Sequence, residues 1–293
     1  MTRIFVDWGS TNCRAFLLDD RGALVDQRRS DKGALAVTQG DFESELKQLL
    51  RPWQAYWSDS DIWLAGMVGS RRGWYEVPYA KAPATASDLR NKAFKVNIDW
   101  ARSVQIIPGV SCGNQTDRFD VMRGEEVQLI GLSQLTQSKN LYAMLPGTHN
   151  KHAHICDGAI GSFSTHPTGE LFSVLSRHML IGFGLDDMEG KGSIQAFFRG
   201  VDEGVKSAQL GKSLFTAWTN RLGGNLQDED GLEYISGVLI GNELRDFEAQ
   251  YCAIVSDQTI GERYRNACTH LGIKSDLYSG AECYLAGMKV ISQ

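Results

Sequence analysis

Two short segments of the sequence share a pattern of residue types suited to one kind of chemistry. They are DWGSTNCR (7–14) and LPGTHNKH (145–152). Gly9 corresponds to Gly147, Ser10 to Thr148 and Asn12 to Asn150. Each segment ends one apolar run and begins another, so each reads as a strand–turn–strand element. A Gly-[Ser/Thr] turn exposes backbone N–H groups, and its small side chains let an anion approach closely. Two such turns on opposite lips of a cleft would grip the β- and γ-phosphates of a triphosphate. The P-loop pattern GxxxxGK[ST] is absent, so this would be another kind of phosphate site. The repeat is short, and glycine, serine, threonine and asparagine are ordinary turn residues. Two plain hairpins are the competing reading.

Three other constellations carry chemistry-bearing side chains. Residues 121–131 read VMRGEEVQLIG, with Glu125 and Glu126 in the first turn of an expected helix. Acids are common there because the helix dipole favours them, so position alone assigns no role. Residues 67–79 (MVGSRRGWYEVPY) form a glycine-punctuated loop dense in arginine and aromatic side chains. As a pocket for a small polyhydroxy acid, Ser70 and Tyr79 would bind hydroxyls and Trp74 would form an apolar wall. Arg71 or Arg72 would pair with a carboxylate. The alternative is a packed aromatic loop, placed at a homodimer contact. His152, His154 and Cys156 alternate along one expected strand and share a face. Steps of about 7 Å along a strand are too long for one zinc ion with ligand distances of about 2 Å, so no metal site is expected there.

Hydrophobic spacing places these groups on elements. Strands are expected at 3–7, 13–18, 62–70, 104–110, 141–145, 152–156, 251–256 and 273–279. Helices are expected at 41–57, 124–135, 168–180, 193–208, 213–222, 230–248, 259–271 and 280–291, with Pro52 disturbing the first. Strands alternating with helices predict an α/β class. Without a Pro/Gly/Ser linker, a domain boundary would be a tight crossover near Asp117–Asp120.

The composition narrows the partners. The 293 residues are 42% apolar and 22% charged, with a net charge of −5. That balance argues against a general nucleic-acid or membrane surface, so an anionic substrate must meet a local basic cluster. No run of about 18 apolar residues predicts a membrane span. The sequence opens directly into a strand, with no apolar signal core. The six cysteines (13, 112, 156, 252, 268 and 283) show no CxxC spacing, which suits reduced thiols in a cytoplasm.

With these residues assembled, the chain resembles sugar kinases of the actin/hexokinase/Hsp70 superfamily. More closely, it is similar to the 2-dehydro-3-deoxygalactonokinase family over nearly its whole length. The resemblance is carried by VDWGSTNCRAFLL (6–18), AGMVGSRRGWYEVPY (65–79), IIPGV (106–110), VMRGEEVQLIG (121–131), LPGTHNK (145–151), TGELFSVLS (168–176) and SGVLIGNE (236–243). It implies two RNase H-like domains, residues 1–118 and 119–293, around an ATP cleft. The implied reaction is transfer of the ATP γ-phosphoryl group to the terminal 6-hydroxyl of 2-dehydro-3-deoxy-D-galactonate. A phosphohydrolase of the exopolyphosphatase type, a kinase for another 2-keto-3-deoxy sugar acid and a non-catalytic nucleotide switch are the competing readings.

Roles follow from the resemblance, residue by residue. Gly9, Ser10, Thr11, Asn12 and Arg14 belong to the first phosphate loop, with Asp7 orienting the Mg²⁺ hydration shell. Gly147, Thr148, His149 and Lys151 belong to the second. Many superfamily members begin that loop with an aspartate where this chain has Leu145, which leaves the metal to Asp7. A carboxylate at the Gly-acid step opening a helix is the implied base, and Glu125 is the choice. A face shared with Val121, Leu129 and Leu132 would raise its pKa. Arg123 would hold the substrate or the transferring phosphoryl group. Ser256, Asp257, Gln258 and Thr259 fall at the adenosine site, where the superfamily usually has a Gly-Gly pair.

Overall fold

The computed structural model describes residues 2–38, 40–113 and 118–293. In chain order, the first half forms β1 (Arg3–Trp8), β2 (Cys13–Leu18), β3 (Leu24–Ser30), α1 (Phe42–Leu50) and β4 (Asp61–Gly66). There follow β5 (Ala80–Lys81), α2 (Ala86–Asn91), β6 (Phe94–Val96), β7 (Ser103–Ile106), β8 (Val110–Gly113), β9 (Phe119–Met122) and α3 (Glu125–Thr136). The second half adds β10 (Asn140–Leu145), β11 (Asn150–Cys156), β12 (Ala159–His166), α4 (Thr168–His178), α5 (Ile194–Lys206) and α6 (Leu210–Leu222). It ends with α7 (Gly231–Leu244), β13 (Tyr251–Ser256), α8 (Gln258–His270), β14 (Lys274–Ser279) and α9 (Gly280–Ile291).

By internal contacts the chain forms two compact units. The first comprises residues 1–141, 153–163 and 280–293, and the second comprises 142–152 and 164–279. The expected boundary at 118/119 concerns fold repeats, whereas compact units follow contacts, and these keep α3 and α9 with the first strands. Asp117, within the expected crossover, lies outside the described residues.

In the first unit a six-stranded sheet runs β3-β2-β1-β4-β7-β6. β1 pairs antiparallel with β2 and parallel with β4, so Asp7 stands opposite Arg14 on one side and beside Ala65 on the other. Ile4, Phe5 and Val6 are completely buried, as are Ile62 and Leu64. Each such side chain contributes about 1.5–3 kcal/mol by leaving water. The apolar spacing of these strands therefore anchors the polar turn that follows β1.

Helices α3 and α9 meet backbone to backbone. A Cβ added at Gly131 would stand 1.8 Å from the Cys283 carbonyl oxygen, and one at Gly287 would stand 1.9 Å from that of Val127. Only glycine allows that approach. In the second unit α5 and α7 meet the same way, with Gly200 against Tyr234 and Gly237 against Phe197. There β13 lies parallel to β14 along its length and to β10 at Ala143 and Met144.

Several expected elements change. The helix expected at 41–57 is α-helical only to Leu50 and continues as a 3₁₀ segment, Arg51–Asp59, because Pro52 cannot donate its backbone nitrogen. The strand expected at 62–70 stops at Gly66, where the chain turns through a φ of +94° into a 3₁₀ turn. The strand expected at 104–110 splits into β7 and β8, which belong to different sheets. Val121 lies in β9 and not on the helix with Glu125.

Replacing Gly287 with alanine drives a methyl group into the Val127 carbonyl. The expected loss is about 1–3 kcal/mol of stability by urea unfolding. Gly211→Ala, at an exposed helical position with nothing within 4 Å of the new carbon, is the control and should lose nothing. Equal stability of both variants would contradict the tight crossing.

Candidate active site

The carboxyl ends of β1 and β4, the start of α3 and one face of α9 enclose a cavity of about 180 Å³. Asp7, Gly9, Gly66, Arg123, Gly124, Glu125, Gln128 and Tyr284 line it. All belong to the first unit. Ligands of α/β sheets commonly bind outside the carboxyl ends of parallel strands, and this cavity is so placed. Two glycines shape its floor. Gly66 has a φ of +94°, and a Cβ there would stand 2.6 Å from the Trp8 carbonyl oxygen. Gly124 has a φ of +111°, which lets the chain enter α3 without a side chain over the cavity.

Asp7 comes to this cavity as expected from its place at the strand end. Its Oδ2 accepts a hydrogen bond from Arg14 Nη2 at 2.6 Å, because the two are direct partners in the β1–β2 ladder. Gly9–Asn12 form the hairpin turn between the two strands. Two of its carbonyls are occupied by the chain that follows β3: Ala34 N–H donates to Gly9 O at 2.9 Å and Leu35 N–H to Ser10 O at 3.2 Å.

The two adjacent glutamates part company. Glu125 lines the cavity, and its Oε2 accepts from the Arg123 backbone N–H at 3.0 Å. Glu126 is wholly buried, with Oε2 accepting from the Gly124 N–H at 2.7 Å. Burial, reinforced by the neighbouring Glu125 charge, pushes the Glu126 carboxyl up to about 8. A raised pKa was expected for Glu125; the structure gives one to its neighbour Glu126. One helical residue step, about 100° around the axis, turns Glu126 from the cavity into the core.

Arg123 is the basic group aimed into the cavity. Its Nη2 donates to the Val77 carbonyl at 2.7 Å, and its guanidinium carbon sits 4.4 Å from the centre of the Tyr79 ring. Nε and Nη1 are buried without a hydrogen-bond partner. A bare buried guanidinium N–H is costly, and an anion in the cavity would satisfy it. In the 67–79 loop, the Ser70 hydroxyl is likewise buried and bare. Tyr79 reaches the cavity wall through Arg123. Trp74 stacks on Phe42 with ring centres 6.5 Å apart and packs against the core. Arg71 is exposed.

In the second unit, Gly147–His149 form the turn between β10 and β11, again as expected. Gly147 N–H donates to Asn150 Oδ1 at 2.7 Å, and the start of α4 packs against the turn through Glu170 N–H to Thr148 O at 3.0 Å. His149 is exposed and bonded to Glu170 at 2.8 Å. Lys151 is buried, with its ammonium donating to Thr165 Oγ1 at 2.6 Å. Ser256 ends β13, and Asp257 caps α8 by accepting from Ile260 N–H at 3.0 Å. Gln258 and Thr259 are exposed in the first turn of that helix.

Sequence reasoning missed the hub behind this turn. Glu243, buried in α7, accepts from Asn150, Tyr264 and Thr168 through Oε2 and from His152 through Oε1. Burial raises its pKa, but the His152 charge and these hydrogen bonds outweigh it, leaving the carboxyl below its ordinary value. A lone acid in the apolar run VLIGNEL was the available signal. His154 bonds Asn140 at 2.5 Å, and Cys156 is exposed. Gly66, Gln128 and Tyr284 were also missed as cavity residues.

Comparison with known proteins places these features in context. The family model described as 2-keto-3-deoxy-galactonokinase matches residues 7–291. The 2-dehydro-3-deoxygalactonokinase of Escherichia coli (strain K12) is 35% identical over 294 residues, covering 99% of this chain and 97% of the relative. A crystal structure of a Sinorhizobium meliloti protein, assigned as a 2-dehydro-3-deoxygalactonokinase, superposes with a TM-score of 0.92 at 28% identity. It covers 99% of this chain and 98% of its own. Component A of the Acidaminococcus fermentans (R)-2-hydroxyglutaryl-CoA dehydratase, at TM-score 0.50 and 11% identity over all of both chains, shares the fold alone. The architecture is α/β, of the two-domain RNase H-like kind found in actin-like ATPases.

The Glu126 carboxyl gives a pH signature. The fold holds its proton up to about 8, whereas the unfolded chain releases it near 4.5. Between those values the native state binds more protons, so stability falls as pH rises. Glu126→Gln stays neutral, and should remove a loss of about 1–3 kcal/mol between about pH 5 and pH 8. Parallel stability–pH curves for the two proteins by chemical denaturation would refute the assignment.

Proposed function

This chain belongs to the 2-keto-3-deoxy-galactonokinase family, and from that premise we propose its reaction in detail. It transfers the γ-phosphoryl group of ATP to the 6-hydroxyl of 2-dehydro-3-deoxy-D-galactonate, giving the 6-phosphate. The observation that carries this reading is the cavity that brings Asp7, Glu125 and the bare N–H groups of Arg123 together. Phosphoryl transfer needs little covalent work from the protein. It needs positioning, charge stabilisation and a base for the attacking hydroxyl.

In this proposal Glu125 accepts the proton of the sugar hydroxyl as that oxygen attacks phosphorus. Geometry favours it over Glu126, which has no path to a ligand. Arg123 supplies two donors for an anionic oxygen of the sugar acid or of the transferring group; the Ser70 hydroxyl, which follows Gly69 where that glycine stands against the guanidinium, is also bare. Tyr79 holds the guanidinium face, and Trp74 and Arg71 complete the sugar-acid pocket from the loop. Gly9, Ser10, Thr11 and Asn12 offer backbone and hydroxyl donors to phosphate oxygens, and Arg14 adds charge.

The donor set around Asp7 fits Mg²⁺. This ion keeps several waters and uses one or two carboxylates together with substrate phosphates. Asp7 provides one such carboxylate at the cavity, and its side chain is 19% exposed. Bound there, Mg²⁺ would neutralise charge on the phosphates. In the second unit, Gly147, Thr148 and His149 are proposed as phosphate contacts, with the Lys151 ammonium behind them adding positive potential. Ser256, Asp257, Gln258 and Thr259 are proposed to meet the adenosine. No helix among the described residues is long and apolar enough to cross a membrane. Six free thiols support a cytoplasmic setting.

A coupled ADP-release assay tests the reaction. ADP release should depend on 2-dehydro-3-deoxy-D-galactonate and favour it over gluconate- and hexose-derived acceptors; release independent of any sugar acid would point to hydrolysis. Glu125→Gln should lower kcat by roughly 10²–10⁴-fold while ATP binding by calorimetry is retained. Such a loss from Glu126→Gln, with Glu125→Gln active, would move the base.

A further inference from the structure

One polar group in the cavity has no role in the reaction as described. Tyr284 extends from α9, is 1% exposed, and lines the cavity beside Asp7, Gly124 and Glu125. Its hydroxyl has no hydrogen-bond partner. Buried tyrosine hydroxyls usually find one. Apolar packing accounts for the ring, which lies 5.8 Å from that of Phe16, but phenylalanine would serve that purpose equally well.

The position of this hydroxyl is set by rigid parts. The backbone contact between α3 and α9 at Gly131 and Gly287 leaves no room for the helices to draw closer. Gln128 Nε2, from α3, donates to the Gly280 carbonyl at 3.2 Å and ties down the first turn of α9. The hydroxyl is therefore held one helix away from the start of α3, where Glu125 and Arg123 stand.

Its chemistry selects the kind of partner. Burial first, and the Asp7 charge second, push the phenol well above its ordinary pKa, so it remains an O–H donor. A neutral donor beside two carboxylates suits an incoming anionic oxygen, and it adds no negative charge of its own. We propose that Tyr284 is a further ligand-binding residue, donating its O–H to a γ-phosphoryl oxygen of the nucleotide at this cavity. The proposal rests on the kinase reading above.

Tyr284→Phe keeps the ring and deletes only the hydroxyl. Wild type and variant are each titrated calorimetrically with Mg²⁺ and the non-hydrolysable ATP analogue AMPPNP, and separately with Mg²⁺ and ADP. The expected result is a roughly ten- to hundredfold weaker Kd for AMPPNP, as for a lost hydrogen bond to a charged group. The ADP Kd should stay within twofold, and Tm should stay level or rise, since a bare buried hydroxyl is removed. An AMPPNP Kd within twofold of wild type overturns the proposal. So does an equal loss for ADP, which places the contact away from the γ-phosphoryl group. A Tm lowered by more than about 5 °C also overturns it, since the hydroxyl would then be bonded within the fold. A wild type that binds both nucleotides but phosphorylates no sugar acid defeats the kinase reading alone, and the titrations still decide Tyr284. One that binds neither nucleotide defeats both.

Discussion

The first unit depends on a place where two helices touch without side chains between them. At Gly131 and Gly287 the backbones of α3 and α9 approach until a methyl group would overlap a carbonyl oxygen. Ordinary helix pairs stand 8–10 Å apart and owe that distance to the side chains at the contact. Removing those side chains removes an adjustable spacer. The relation between the start of α3, which carries Glu125, and the first turns of α9, which carry Tyr284, is then set by backbone contact, with the Gln128 side chain bonded to the Gly280 carbonyl beside it. The second unit repeats the device between α5 and α7, with glycines on both helices at the contact.

Adjacent acids at one helix start divide two tasks that a single carboxylate cannot combine. Glu126 is sealed in the core, where burial favours its protonated form near neutrality. Glu125 faces the cavity beside Arg123. Keeping a proton on the buried acid spares its neighbour a second negative charge at close range. The environment, and not the residue type, thereby separates a buried neutral acid from a glutamate that lines the cavity.

Much of this was legible in the sequence, and the rest had physical reasons for being hidden. DWGSTN and LPGTHN could be read as turns because glycine and small polar residues interrupt strong apolar runs, and both are turns. β3 left no trace because its seven residues, LVDQRRS, form an edge strand with no buried face. The separation of Glu125 from Glu126 depends on the phase at which α3 begins, and Gly124 sets that through a φ that composition does not reveal. Tyr284 carried no signal of its own, because a lone tyrosine among apolar residues is ordinarily core. The Lys151 bond to Thr165 was hidden because it comes from β12, a strand that spacing did not predict. Glu243 gathers partners from three separate elements, β11, α4 and α8, and no local pattern announces such a convergence.

The discontinuity of the first unit has a consequence for how the protein is made. A ribosome produces α3 early, but α9 emerges only after the whole second unit has been synthesised. At ordinary translation rates that interval is on the order of ten seconds. During it, the glycine groove of α3 has no helix to fill it, and the Val127 backbone, which meets Gly287 in the finished protein, lacks that cover. The nascent chain therefore carries this uncovered seam through about half of its synthesis. Its cavity cannot be closed by Tyr284 until the second unit is already built.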